Sequence, residues 1–203
     1  MVHQICGFRG FQPPRRSASP PNGSGLGCEP LPVAERIRDA RGEDLSALRD
    51  IERAAGQRFR DFGLDAVAED EPASIKELQD YAAAGRAWVA VGDAGEPVGY
   101  ILVGEIEGAA HIEQVSVAPD HQGRGLGRAL IARVRAWAIE RGSPALTLTT
   151  FDHIPWNRPL YEHLGFRVVP EEEIGPGLRA VRQAEAALGL DPDLRVVMRL
   201  DLG

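Results

Sequence analysis

The sequence predicts an α/β (or α+β) fold, with a mixed sheet and helices on both faces. Three observations carry this. Two apolar runs, Ala87–Val91 and Pro97–Gly104, are joined by Gly92-Asp93-Ala94-Gly95-Glu96, a hairpin-type connection. Further on, strand, helix and strand alternate, the order that makes a sheet mixed. The 203 residues suffice for one well-buried domain and are few for two.

In chain order, Arg36–Ala40 reads as the first strand. Glu43–Ala55 follows with Leu45, Leu48 and Ile51 at helical spacing. Pro72–Ala84 is a second helix, with proline near its start and Gly85 just past its end. The hairpin strands come next, then a fourth strand, Ala109–Val117. A glycine-rich turn leads into a helix that runs to Gly142, with Leu130, Val134 and Trp137 on one face. Ala145–Phe151 is rich in β-branched residues and reads as a strand. A short helix ends at Gly165. Phe166–Val169 and Arg195–Leu200 are the last strands, with a helix over Leu178–Leu188 between them.

Residues 1–32 stand apart. Pro13, Pro14, Pro20, Pro21, Pro30 and Pro32 punctuate a Gly/Ser/Arg-rich stretch with few apolar side chains. Such a segment buries too little surface to offset its ordering entropy, so a disordered tail is expected before a domain at 33–203. It has neither the apolar core of a secretory signal nor the amphipathic pattern of a transit peptide. Cys6 and Cys28 both fall in it, without metal-site spacing. The expected location is cytoplasmic. No apolar run approaches the length that spans a bilayer. The formal charge of −7 speaks weakly against nucleic acid and weakly for a small cationic substrate. The histidines show no ligand spacing, so no metal is expected.

The most informative segment runs from His111-Ile112-Glu113-Gln114-Val115-Ser116-Val117 through Ala118-Pro119-Asp120-His121 to Gln122-Gly123-Arg124-Gly125-Leu126-Gly127-Arg128. A strand enters a turn and then a helix N-terminus. There the first amides lack intrahelical acceptors and sit at the positive end of the helix dipole, which suits a phosphate. Glycines let the backbone come close to an anion. Arg124 and Arg128 add charge. The dinucleotide fingerprint fails because Leu130 stands at its third glycine, and no Walker Gly-Lys-Ser/Thr occurs.

Gln122, Gly125 and Gly127, after a Val-x-Val strand and a proline-containing turn, resemble the acyl-CoA loop of the GNAT superfamily of N-acetyltransferases. Asn157-Arg158-Pro159-Leu160-Tyr161-Glu162-His163-Leu164-Gly165-Phe166 resembles the family's second segment, at the expected distance and in the expected order. The resemblance covers roughly residues 35–201. It implies a mostly antiparallel central sheet of about seven strands. It also implies acetyl-CoA as co-substrate. The loop from Gln122 through Gly123, Arg124, Gly125 and Gly127 to Arg128 would hold the pyrophosphate. The backbone of Val115 and Val117 would take the pantetheine arm, Asn157 would lie against that arm, and Tyr161 beside the sulfur. Asp152–Trp156 and Gly175–Arg179 resemble one bacterial subgroup.

Acetyl transfer to an amine needs a neutral nitrogen, a stabilised oxyanion and a proton for the leaving thiolate. The resemblance implies direct attack in a ternary complex, with Tyr161 as acid and the Val115 N–H as oxyanion donor. An alkyl ammonium has a pKa of about 10.4 and must lose a proton first. Alternation puts His111, Glu113, Val115 and Val117 on one face. His111 and Glu113 are therefore the expected bases, with Glu113 nearer the thioester. The expected acceptor is a small-molecule amine, and Glu69, Asp70, Glu71, Glu105 and Glu107 are candidates for drawing it in. A protein or peptide amine is the alternative, and a non-catalytic acyl-CoA sensor ranks last because Tyr161 is present. Nucleic acid and membrane are not expected as partners; a homodimer is left open.

Overall fold

The computed structural model describes residues 33–203, with the side chains of residues 34 and 35 left aside; the proposed tail and both cysteines lie outside the described residues. The strands are β1 (Ile37–Asp39), β2 (Ala87–Val91), β3 (Pro97–Ile106), β4 (Ala109–Val117), β5 (Ala145–Phe151), β6 (Arg167–Val168) and β7 (Arg195–Asp201). They form one sheet in the order β1-β2-β3-β4-β5-β7-β6. Every neighbouring pair is antiparallel except β4 and β5. The helices are α1 (Leu45–Gly56), α2 (Asp65–Ala68), α3 (Ile75–Ala83), α4 (Leu126–Glu140), α5 (Arg158–His163) and α6 (Pro176–Ala187).

Two cores hold the sheet between helices. On one face Leu126, Leu130, Ile131 and Val134 of α4 pack against Ile101, Val103, Ile112, Val115, Leu146, Leu148 and Met198. On the other, Leu45, Leu48 and Ile51 of α1 and Leu78 of α3 cover Val89, Tyr100 and Leu102. α6 lies on this second face too, where Leu178 meets Val197. The split follows the helical stripes read in the sequence: each helix buries one face and sends most of its arginines and acids outward, Glu52 of α1 and Glu185 of α6 being exceptions.

Helix α3 starts three residues later than expected, because Ser74 caps it. The Ser74 hydroxyl accepts from the Glu77 N–H while the Glu77 carboxylate accepts from the Ser74 N–H. Gln57–Phe62, a 3₁₀ segment, and the single turn of α2 were not expected; neither is long enough to display a period.

Two irregularities shape the centre of the sheet. β3 and β4 pair regularly from Gly99↔Val117 to Leu102↔Gln114, then resume at Val103↔Ile112. Glu113 is thus an extra residue, a β-bulge. β4 and β5 pair only at Ala110↔Leu146 and His111↔Thr147. Beyond that point β4 runs on to Val117 and β5 to Phe151 without a shared ladder, so the sheet opens in a wedge. Among the described residues, no helix is long and apolar enough to cross a membrane.

Candidate active site

The wedge opens at the C-terminal ends of its two parallel strands, where open α/β sheets place ligands. One lip is the turn from Ala118 to Gly125. Gln122 fixes it: its side-chain N–H donates to the Val117 carbonyl at 2.9 Å, and its Oε1 accepts from Arg58 at 3.1 Å. Gly123 and Gly125 have φ of +77° and +82°, a region that L side chains rarely adopt. A Cβ on either would meet nothing within 4 Å, so the Cα of each borders open space. Among the described residues no acceptor is recorded for the N–H groups of Gly123, Arg124 and Gly125. The first turn of α4, with buried Gly127, adds its own free amides. Arg124 and Arg128 are exposed beside it; the Arg124 guanidinium donates to the Asp120 carbonyl at 2.9 Å. This is an anion cradle built of backbone.

The other lip is Asp152–Asn157. The Asn157 side chain is buried at the start of α5, and its Nδ2 has no acceptor among the described residues. Tyr161 follows one turn on. It is buried in the α4-side core, its ring edge-on to Phe166 with centroids 5.7 Å apart. The two lips are bridged by Arg58, whose guanidinium stacks on Trp156 at 3.6 Å while it holds Gln122. A cavity of about 380 Å³ lies beneath, lined in part by Ala54, Arg58, Phe62 and Trp156.

One expectation is corrected here. His111, Glu113, Val115 and Val117 do not share a face. Val115 and Val117 point into the α4-side core together with Ala110 and Ile112. The bulge at Glu113 adds one residue and flips the alternation. His111, Glu113, Gln114 and Ser116 therefore point to the α1 side, and Val115 and Val117 offer only their backbone to the wedge.

On that α1 side the floor is polar although buried. His111 is 2% exposed, with Nδ1 2.9 Å from the Thr147 hydroxyl. Burial pulls its pKa down to about 4, so its ring is neutral at pH 7. Glu113 is half-buried; burial raises its pKa and Arg86 opposes the rise. Its carboxylate fills the space a Cβ would occupy on Gly104. Gln114 and Ser116 are fully buried and hydrogen-bonded to each other at 3.0 Å. On β5 and β7, Thr149 and Arg195 meet Glu185 of α6 in a buried network; Arg195 forks onto the Glu185 carboxylate at 2.7 and 2.9 Å.

The sequence reading missed Glu52, on the inner side of α1. Its carboxylate accepts a hydrogen bond from the Tyr100 hydroxyl. The signal was there: Glu52 stands in the stripe of Leu45, Leu48 and Ala55, where an apolar residue belongs. The suggested acidic attractors are mostly engaged elsewhere. Glu69 pairs with Arg60, Glu71 with Arg49 and Arg53, and Glu107 accepts from the Gly177 N–H.

A loop of free amides able to cradle an anion, an opened strand pair and a polar floor behind it are parts that an acyl-CoA-dependent transferase needs. The model of the acetyltransferase (GNAT) family matches residues 47–166, more than half of the chain. The chain belongs to this family. As a GNAT acetyltransferase it is an acyltransferase enzyme. It is 30% identical over 140 residues to the peptidyl-lysine N-acetyltransferase YjaB of Salmonella typhimurium, covering 68% of this chain and 87% of that protein. Among solved structures, Rv2747 from Mycobacterium tuberculosis in complex with CoA aligns with a TM-score of 0.60 at 19% identity, over 82% of this chain and 99% of that one. The PaiA N-acetyltransferase of Thermoplasma acidophilum in complex with coenzyme A gives a TM-score of 0.59 at 15% identity, over 81% and 97%. At these identities the structural likeness establishes the fold.

Proposed function

We propose that residues 33–203 transfer the acetyl group of acetyl-CoA to a primary amine by direct attack in a ternary complex. The observation that carries this reading is the wedge between β4 and β5, with a backbone anion cradle at its mouth and buried polar groups on its α1 side. The CoA complexes of Rv2747 and PaiA support the choice of co-substrate.

In this reading the amides from Gly123 to Arg128 hold the pyrophosphate, with Gln122 keeping the turn in shape and Arg124 and Arg128 supplying charge. The pantetheine arm lies in the wedge against the backbone of Val115 and Val117, with the Asn157 amide donating to it. The Val115 N–H faces the thioester oxygen; one such donor is worth about 2.7–4 kcal/mol in the transition state. Tyr161 donates a proton to the departing sulfur. The amine comes from the α1 side, past Glu113 and His111. Of these two, Glu113 is the stronger base, because neutral His111 holds a proton poorly; His111 serves as a hydrogen-bonding wall.

A buried floor admits a slender alkyl amine. A free small-molecule amine meets that requirement and suits the net charge of −7. A lysine side chain meets it as well, and the name of the YjaB relative favours that second reading. Thiol release from acetyl-CoA across a panel of polyamines, amino sugars and lysine peptides tests both. Turnover of free amines with no peptide turnover supports the first reading. Preference for peptides replaces it with the second, and thiol release by no amine defeats both.

A further inference from the structure

Glu52 is the carboxylate that no established role explains. It sits on α1, which lies against β3 and β4. Tyr100, which donates to it, is fully buried on β3 and stands opposite Ser116 of β4. Ser116 in turn accepts from the Gln114 side chain, whose Oε1 is buried with no donor among the described residues. Glu52, Tyr100, Ser116 and Gln114 thus form one polar row from three elements. It runs across the α1 face of the part of β4 that has left β5.

A buried acceptor without a donor costs free energy, and so does a largely buried carboxylate whose printed hydrogen bond is to one neutral hydroxyl. Both groups have acceptor capacity for the same kind of ligand: something rich in N–H donors and positively charged. An alkyl ammonium, with three donors and one charge, fits. Docked there, its nitrogen faces the wedge from the side opposite the α4-side core that contains Tyr161.

We propose that Glu52, positioned by Tyr100, binds the acceptor ammonium and takes its proton, with the Gln114 side-chain carbonyl as the second ligand of the nitrogen. This rests on the N-acetyltransferase reading and assigns to Glu52 the step that Glu113 would otherwise perform. The ammonium passes one proton to the Glu52 carboxylate. The freed nitrogen lone pair forms the C–N bond at the thioester carbonyl carbon, and the C–S bond breaks. The thiolate takes its proton from the Tyr161 hydroxyl, which is refilled by the second proton leaving nitrogen. Glu52 returns its proton to water.

The electrostatics fit the role. Burial pushes the Glu52 carboxyl up to about 7; Asp70 adds to the rise, while the Tyr100 hydrogen bond, Arg49 and Arg53 oppose it. A base is most effective with a pKa near the working pH. From β4 the row presents uncharged Gln114 and Ser116. On α3, Tyr81 feels Glu113, Arg86 and Glu77, and Lys76 pairs with Asp80 on the exposed side.

The test is the pH dependence of kcat/KM with whichever polyamine or lysine peptide the wild type acetylates. The wild type should show an acid limb near the Glu52 value. Glu52→Gln should remove that limb and lower kcat/KM by about 100-fold or more, with acetyl-CoA affinity kept within about twofold. Tyr100→Phe deletes a hydrogen bond to the charged form, so the limb should move to higher pH. Glu113→Gln should change the rate and leave the limb in place. A wild-type limb retained in Glu52→Gln, or one that moves with Glu113→Gln, overturns the assignment. Calorimetry of butylamine added to the CoA-bound protein reads docking without turnover. Binding should be lost in Glu52→Gln, and equal affinity overturns the proposal even where the wild type binds acetyl-CoA but transfers to no amine. That last result would sink the N-acetyltransferase reading on its own.

Discussion

Gly123 and Gly125 allow the anion cradle to be tested by two readouts that separate. Both have positive φ, and neither has an atom within 4 Å of where a Cβ would stand. Alanine there costs only the backbone conformation, about 1–2 kcal/mol. For a domain of this size that is a fall of about 2–8 °C in Tm. The added methyl group also projects into the space above the amides, where the pyrophosphate is proposed to lie. Acetyl-CoA affinity should therefore drop at least about tenfold, roughly 1.4 kcal/mol, beyond any effect of stability. Gly95 supplies the control. It has φ of +85° and equally open surroundings, but lies in the β2–β3 turn. Gly95→Ala should cost the same stability and leave affinity alone. Urea unfolding and calorimetry with acetyl-CoA measure the two quantities. If Gly125→Ala is destabilised like Gly95→Ala yet binds acetyl-CoA as the wild type does, the cradle is not the phosphate site.

Three further outcomes are expected. Tyr161→Phe should lower kcat by about 10²–10⁴-fold with acetyl-CoA affinity nearly unchanged, since it removes a proton donor and keeps the ring; wild-type turnover would leave Tyr161 as a core residue alone. His111 has a folded-state pKa of about 4 against an ordinary value of 6.5, so the unfolded chain binds the proton first. Stability should fall as pH drops from about 6.5 to about 4, by up to about 3 kcal/mol, and His111→Gln should flatten that slope in urea titrations. Deleting residues 1–32 should leave Tm and acetyl-CoA binding nearly intact, as their composition implies; a large loss of Tm in the truncated chain would show that they pack.

The sequence was legible wherever one residue pattern maps to one local structure. The hairpin at Gly92–Glu96, the α4 stripe and the glycines before it are of this kind. Gly123 and Gly125 are required by φ, and Gln122 by its bond to Val117. What could not be read depends on partners distant in the chain. The 2% exposure of His111 comes from Thr147, 36 residues on, and from the helices above it. The buried bond of Arg195 to Glu185 pins α6 to the sheet, yet in the sequence both look like ordinary charged surface residues. Glu52 is intermediate: its place in an apolar stripe was visible, but its partner Tyr100 lies 48 residues away.

The bulge at Glu113 explains why the residues were found while their grouping was not. A period-2 reading of β4 assumes one residue per step, and Glu113 breaks that assumption in mid-strand. The extra residue has two effects. It flips the alternation, so the valines that close the α4-side core and the polar residues that face α1 can follow one another along a single strand. It also lies two residues past the end of the ladder to β5, and a bulge bends and twists its strand. A regular strand would have faced His111 and Val115 the same way. In the proposed reading, the free edge that takes the thioester arm and the polar face that takes the acceptor thus meet at this bulge. That is also why the proposed acceptor side is sought on α1: after the flip, Gln114 and Ser116 of β4 lie on the face of the sheet that α1 covers.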